Sequence, residues 1–411
     1  MNKYGYLILG ILFFIEIFEI FLKYLNLKQI KSLKKNCPNN ILEIFQKDKL
    51  EKALSYQEEK EVLDIVSKLF IIPFFYGIFI FNVVQNYSEI INAHFQTEFV
   101  RGIVFFISFI IFNYILSLPF NLYDTFVIEK KFGFNNMTIG LYVKDTIISG
   151  VISLVLISII LFAIISFIEK TGAVWWLLGA LFTALFSLFL TYIYPTFIAP
   201  LFNKFEPLED DDLKEEIFSI SKRAKFPIDN IFKMDASKRS KHSNAYFTGI
   251  GKKKRIVLFD TLLNNHGVKE IIAILAHEIG HYKLGHIRKM LLISIIFTFL
   301  AFYIAGLILN QQFIYNAFGF EKSIYIGLFI CMLLFSPFNF AIQPLIAMLS
   351  RKHEFEADNF SVKLTGEKET IINTLIKLYK DNLANPLPHK LYKFFYYSHP
   401  TLLERIEEIK K

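Results

Sequence analysis

Ile271-Ile272-Ala273-Ile274-Leu275-Ala276-His277-Glu278-Ile279-Gly280-His281 sets apolar residues at helical spacing and two imidazoles four positions apart. The spacing predicts a helix from about Lys269, with His277 and His281 stacked on one face. Side chains so placed can meet a single metal ion. Glu278, beside the first imidazole, projects next to that ion, where a carboxylate can take a proton from a bound water. Two neutral imidazoles and one carboxylate suit Zn²⁺, with a fourth position left open. Residues 231–234 and 255–259 read as short strands ahead of this helix. The stretch Ser243-Asn244-Ala245-Tyr246-Phe247-Thr248-Gly249 reads as another, ending in a glycine turn. Asp210, Asp211 and Asp212 open an amphipathic helix at Leu213. Lys283, His286, Arg288 and Lys289 follow the motif at once, which sets it at a membrane edge rather than inside a span. His286 reads as a surface residue near that edge, not a ligand.

The motif supplies two ligands and the site needs a third. The candidates lie in Ser350-Arg351-Lys352-His353-Glu354-Phe355-Glu356-Ala357-Asp358. Glu354 and Asp358 share a helix face, so Glu354 can bind the metal while Asp358 accepts from a ligand imidazole. Glu356 lies about 200° round the helix from Glu354 and points elsewhere. His353 is the rival ligand, and spacing does not choose between it and Glu354.

Around this motif the chain is apolar. Of 411 residues 54% are hydrophobic and 20% charged, against about 25% charge in a soluble domain. The excess is gathered in runs, which excludes a disordered chain, a disulfide scaffold and a wholly soluble protein. Cys37 and Cys331 make neither a disulfide framework nor a thiolate zinc site. Seven runs are long enough to cross a bilayer as helices: residues 4–22, 69–84, 102–123, 146–168, 174–198, 290–309 and 324–349. The first resembles a signal peptide but lacks a small-residue cleavage site, and is read as an uncleaved span. Lysines crowd alternate loops, above all residues 24–60, 124–145, 200–289 and the tail after Arg351. Basic loops stay cytoplasmic. The bias therefore puts the N-terminus outside and the C-terminus inside, as an odd number of spans requires. The net charge of +8 belongs to this pattern, and no nucleic-acid partner is expected. Glu16 and Glu19 share a face of the first span and either sit near the interface or face a hydrated cavity.

The fold expected is mainly α: a seven-span transmembrane bundle with a cytoplasmic α+β segment that carries the metal motif. Residues 1–199 hold spans one to five and 200–289 the first catalytic segment. Residues 290–350 hold spans six and seven, and 351–411 the segment with the third ligand. The AT-rich flavour of the composition favours a bacterial cytoplasmic membrane over the endoplasmic reticulum.

His277-Glu278-Ile279-Gly280-His281 paired with Glu354-Phe355-Glu356-Ala357-Asp358 resembles the type I CAAX prenyl endopeptidases. Residues 118–129, Phe132-Gly133-Phe134-Asn135, Pro200-Leu201-Phe202-Asn203-Lys204-Phe205, residues 243–247 and residues 398–405 are similar to the same family. The resemblance implies a seven-span transmembrane bundle enclosing a water-filled chamber, a cytoplasmic zincin-like α+β metalloprotease domain, and one Zn²⁺ per chain held by His277, His281 and Glu354. It implies Glu278 as general base and Asp358 as the residue that orients a ligand. Asn244, Ala245 and Tyr246 would bind an extended substrate on an edge strand. His399 and Arg405 would stand near the scissile carbonyl. The partners implied are a peptide or protein substrate, prenylated or not, and the lipid bilayer. A quality-control protease without prenyl specificity is the alternative within hydrolases. A transporter with a structural zinc site is the alternative outside them.

Overall fold

The computed structural model describes residues 1–249 and 254–411. In lipid a backbone must satisfy its own polar groups, so each apolar run becomes a helix. Among the described residues, seven helices are long and apolar enough to cross a membrane. They are α1 (Lys3–Lys35), α2 (Lys47–Ile80), α3 (Glu98–Tyr123), α4 (Ile139–Thr171) and α5 (Trp175–Ile193), with α8 (His286–Leu309) and α9 (Ile324–Thr365) following later in the chain. Most run past the edges the apolar runs suggest, because polar residues extend a helix wherever packing gives them partners. The second span differs at its other end. It stops at Ile80, and Asn82 takes a left-handed conformation (φ 54°). Val84, expected within that span, belongs instead to a short amphipathic helix, Val83–His94. Asn tolerates that conformation, which makes the break cheap. Asp124–Glu129, expected in a loop, continues α3 as a wider π turn just beyond Pro119. Asn113 donates to the Phe109 carbonyl one turn back within α3.

Two features tie the bundle together. Lys68 of α2 donates to both Glu16 and Glu19 of α1, at 2.6 and 2.5 Å. The shared face expected of the two glutamates thus has a cation opposite it. Elsewhere the spans meet through rings: Phe79, Phe105, Tyr325 and Phe329 are buried together, and Phe79 stacks on Phe329 at 6.1 Å.

Between α5 and α8 lies a small α+β layer. Its sheet has the order β1-β2-β4-β3, with β1 Phe205–Pro207, β2 Asn230–Met234, β3 Ala245–Thr248 and β4 Arg255–Phe259. β2 and β4 are parallel, the other pairs antiparallel, and β3 is an edge. The glycine turn expected past Thr248 runs into residues 250–253, outside the described residues. β1 carries no sequence signal, being three residues long and ending in proline. One face of the sheet is covered by α6 (Asp211–Arg223) and α7 (Val268–Lys283), through Leu213, Ile217, Ile256, Leu258, Ile271 and Leu275. Asp210 caps α6 by accepting from the Leu213 N–H at 2.9 Å.

The other side of α7 lies against α9. At Gly280 the approach is close enough that a Cβ would stand 3.2 Å from the Ala357 Cα and carbonyl oxygen. The tail forms α10 (Lys368–Asp381), α11 (Lys390–Tyr396) and α12 (Leu402–Lys410). Ile371 and Leu375 of α10 and Leu402 and Ile406 of α12 share a core with Ala273 of α7 and with Ile30 and Leu33 of α1.

Backbone at Ala357 cannot yield as a flexible side chain would. Gly280→Val is therefore expected to overpack the α7–α9 contact by about 1–3 kcal/mol and lower the thermal midpoint of the full-length protein in detergent. Gly140→Ala, whose Cβ meets nothing within 4 Å, is expected to leave that midpoint unchanged or raised.

Candidate metal centre

α7 and α9 bring the two sequence motifs face to face. His277 and His281 lie one helical turn apart and their Nε2 atoms stand 3.1 Å from each other. Glu354 enters from α9, with Oε2 3.3 Å from His277 Nε2 and Oε1 3.2 Å from His281 Nε2. Glu354 is 4% exposed, and its Oε2 has no hydrogen-bond partner among the described residues. Each imidazole uses its other nitrogen elsewhere: His277 Nδ1 is 2.8 Å from Asp358 Oδ1, and His281 Nδ1 is 3.0 Å from His286 Nδ1. With the protons on Nδ1, three lone-pair donors converge with no hydrogen between them. A tetrahedral zinc with ligand bonds near 2.0–2.1 Å needs donors about 3.3 Å apart, so the residues present fit a divalent cation.

Asp358 is 1% exposed and receives three donors. Arg405, on α12, places Nε 2.8 Å from Oδ2 and Nη2 2.6 Å from Oδ1. Arg405 is itself buried, and its Nη2 lies 3.8 Å from Glu354 Oε2. The surface ion pair that a C-terminal arginine usually makes is absent here; its fork is spent inside. Burial alone would disfavour a charged His277, but the Asp358 and Glu354 carboxylates more than offset it and raise the pKa to about 9. A metal must displace that proton to bind.

A cavity of about 490 Å³ opens on this centre. Glu278, His399, Asn244 and Ala245 line it with the ligands. Burial holds the Glu278 carboxyl above the ordinary carboxylate range, and the neighbouring His277 and His281 rings pull it part of the way back. His399 is largely exposed, with Nε2 3.4 Å from Glu354 Oε1 and Nδ1 2.9 Å from Ser398 Oγ. Asn244 and Ala245 sit at the start of the edge strand β3. Tyr246 does not join them: one residue beyond Ala245 on the strand, its ring turns to the other face of the sheet and packs with Met234 and Val257.

Two residues stand where the sequence did not put them. His353, the rival ligand, points away from the centre and stacks on His286 at 4.0 Å. His286 is not a surface residue; it is 2% exposed, held between His281 and Glu356. Its position after Gly285, which takes a left-handed φ of 72°, turns α8 back toward α7. Sequence reasoning also missed His242, Tyr379 and Asn382, which line the cavity. His242 stacks on Phe134 at 3.9 Å and its Nδ1 lies 2.9 Å from Asn382 Oδ1. The one signal for it was the similarity of residues 132–135 to a family motif.

Comparison with known proteins gives a consistent picture. Residues 26–204 match the profile described as CAAX prenyl protease N-terminal, five membrane helices, and residues 207–411 match peptidase family M48. CAAX prenyl protease 1 homolog of Homo sapiens is 35% identical over 91% of this chain and 88% of its own length. The Arabidopsis thaliana homolog is 35% identical over 96% of each. CAAX prenyl protease 1 of Saccharomyces cerevisiae is 41% identical over 71% of this chain and 68% of its own. The crystal structure of S. mikatae Ste24p superposes over the whole of both chains with a TM-score of 0.94 at 32% identity.

Removing one member of the Asp358–Arg405 pair leaves the other charge buried alone. Asp358→Asn and Arg405→Met are each expected to cost about 3–5 kcal/mol. The double variant should cost clearly less than their sum, because the two act as a unit. Thermal melts of the four proteins measure the cycle, and additive losses would contradict the pairing.

Proposed function

The chain belongs to the CAAX prenyl protease family within peptidase family M48, and from that premise we propose which residues carry out its hydrolysis and on what substrate. As a family member it is a multi-pass membrane zinc metalloendopeptidase acting on peptide or protein chains. A transporter with a structural zinc is thereby set aside. His277, His281 and Glu354 hold one zinc ion per chain. The observation that carries this is the convergence of the three side chains: the two Nε2 atoms are 3.1 Å apart, each lies within 3.3 Å of a Glu354 oxygen, and Glu354 Oε2 is buried without a hydrogen-bond partner among the described residues. When bound, zinc supplies a Lewis acid for the scissile carbonyl and makes its water more acidic.

The chain's own residues then have separable tasks. Glu278 accepts the proton of the attacking water on its carboxylate and delivers it to the nitrogen of the leaving amine. A carboxylate held above its ordinary range by burial is the stronger base for the first step. His399 donates Nε2–H toward the carbonyl oxygen as that oxygen gains charge. Arg405 has two N–H groups committed to Asp358 and works chiefly through it, keeping His277 oriented. The substrate lies extended along the β3 edge, its backbone pairing at Asn244 and Ala245.

The substrate class we assign is a C-terminal prenylated CAAX peptide. An apolar cavity of about 740 Å³ between α8 and α9 supports it, lined by Phe297, Phe335, Phe338 and Phe395 and reaching Ser398 beside His399. The charge of the loops favours the N-terminus outside and the centre on the cytoplasmic side. The named relatives are eukaryotic.

Glu278→Gln is expected to lower kcat by about 10²–10⁴-fold while the zinc content stays at that of the unaltered protein. Peptides recovered from this variant should end in CAAX-like sequences; a broad set of misfolded chains would favour quality control instead. Glu354→Ala should lose zinc and His353→Ala should keep it, by metal analysis of the purified proteins. Because the His277 pKa is raised to about 9, the proton competes with zinc below that pH. Zinc affinity should therefore weaken steadily as pH falls from 9 toward 6, with protons released on binding.

A further inference from the structure

The two imidazoles of the centre are served differently at Nδ1. His277 meets the Asp358 carboxylate directly at 2.8 Å. His281 meets another imidazole, His286, whose Nδ1 is 3.0 Å away and whose Nε2 is 2.9 Å from Glu356 Oε2. Glu356 and Asp358 follow Glu354 on the same helix, so α9 supplies one ligand, a carboxylate directly behind His277 and, through His286, another behind His281.

The hydrogens along this row have one consistent arrangement when every imidazole is neutral. An imidazole that gives its Nε2 lone pair to a metal carries its proton on Nδ1. His281 Nδ1–H must then find an acceptor, and the nearest is His286 Nδ1. A neutral His286 that accepts at Nδ1 carries its own proton on Nε2. That proton points at Glu356, a carboxylate that can only accept when ionised. The stacking of His353 on His286 at 4.0 Å and 10° holds the ring plane in which the row is aligned.

His286, His353 and Glu356 also form a donor group that a second cation could occupy. The geometry speaks against it. Stacked rings send their in-plane lone pairs side by side rather than to one point. A cation on His286 Nε2 would also put a proton on His286 Nδ1, facing the His281 Nδ1–H at 3.0 Å, donor against donor. Occupation of the catalytic centre and of this group would oppose each other.

We propose that His286 and Glu356 are positioning residues for His281: a two-step hydrogen-bond row that fixes its tautomer and ring plane so that Nε2 faces the metal. This rests on His281 being a zinc ligand. Such outer partners typically change metal affinity by about 10–100-fold.

The test is the rate at which full-length, zinc-loaded protein gives up its metal to a chelator, read alongside kcat and KM. His286→Leu, which removes both links, should release zinc about 10–100-fold faster. His286→Asn sets an amide oxygen near the Nδ1 position and should restore part of the loss. Glu356→Gln, a weaker acceptor, should fall between His286→Leu and the unaltered protein. His353→Phe keeps the stack and should leave both the rate and the one-zinc stoichiometry unchanged. Should His286→Leu destabilise the fold, the Asn and Gln variants still carry the comparison. An unaltered release rate in His286→Asn and Glu356→Gln together would overturn the proposal. So would a second zinc equivalent that disappears in His353→Phe. Zinc retained by His281→Ala would instead show that the ligand assignment is at fault.

Discussion

A carboxylate as deeply buried as Asp358 costs several kcal/mol unless charged donors meet it, and here three N–H groups do so from two other helices. His277 comes from α7 and Arg405 from α12, while Asp358 itself is on α9. The contact can form only when all three helices are in place. It also sets the chemistry: a His277 ring anchored at Nδ1 presents Nε2 toward Glu354. The approach of α7 to α9 at Gly280 and Ala357 brings the ring within reach. A larger residue at that crossing would move the imidazoles off the carboxylate.

The site is mechanically continuous with the membrane. α9 has 42 residues, which at 1.5 Å each is about 60 Å, twice the hydrocarbon core. Its first half packs among the spans and its second half carries Glu354, Glu356 and Asp358. Pro337 and Pro344 lie inside it without ending it. The far end of α1 likewise shares a core with the helices that close the site, through Ile30 and Leu33. The membrane bundle and the catalytic segments are thus parts of one packed body, and the charged pairing of Lys68 with Glu16 and Glu19 fixes α1 to α2 within it.

Much of this was legible locally. Seven apolar runs could be counted because a bilayer imposes a length, and the acidic start at Asp210 marked the beginning of α6. What was misread was misread for physical reasons. The span edges moved because helices persist into polar sequence when neighbours accept it. Val84 left its span because Asn82 could bend the backbone at little cost. Tyr246 fell outside the cavity because one residue along a strand reverses the face. His286 looked exposed because the residues around it are basic. Its burial depends on the turn at Gly285 and on Glu356, seventy residues away.

Helical period and side-chain chemistry, both written in a short window of residues, were enough to pair His277 with His281, to set Glu278 beside them and to require a bilayer. They could not say which neighbour, His353 or Glu354, meets the imidazoles, since adjacent residues on a helix diverge by about 100° and either could face inward. That choice was made by the rotation of α9 against α7. The same packing turned Arg405 from an ordinary tail residue into the partner of a buried carboxylate. Contacts between positions 277, 358 and 405 have no local signature; they exist because an α-helix packed at a glycine brings distant charges to within 3 Å.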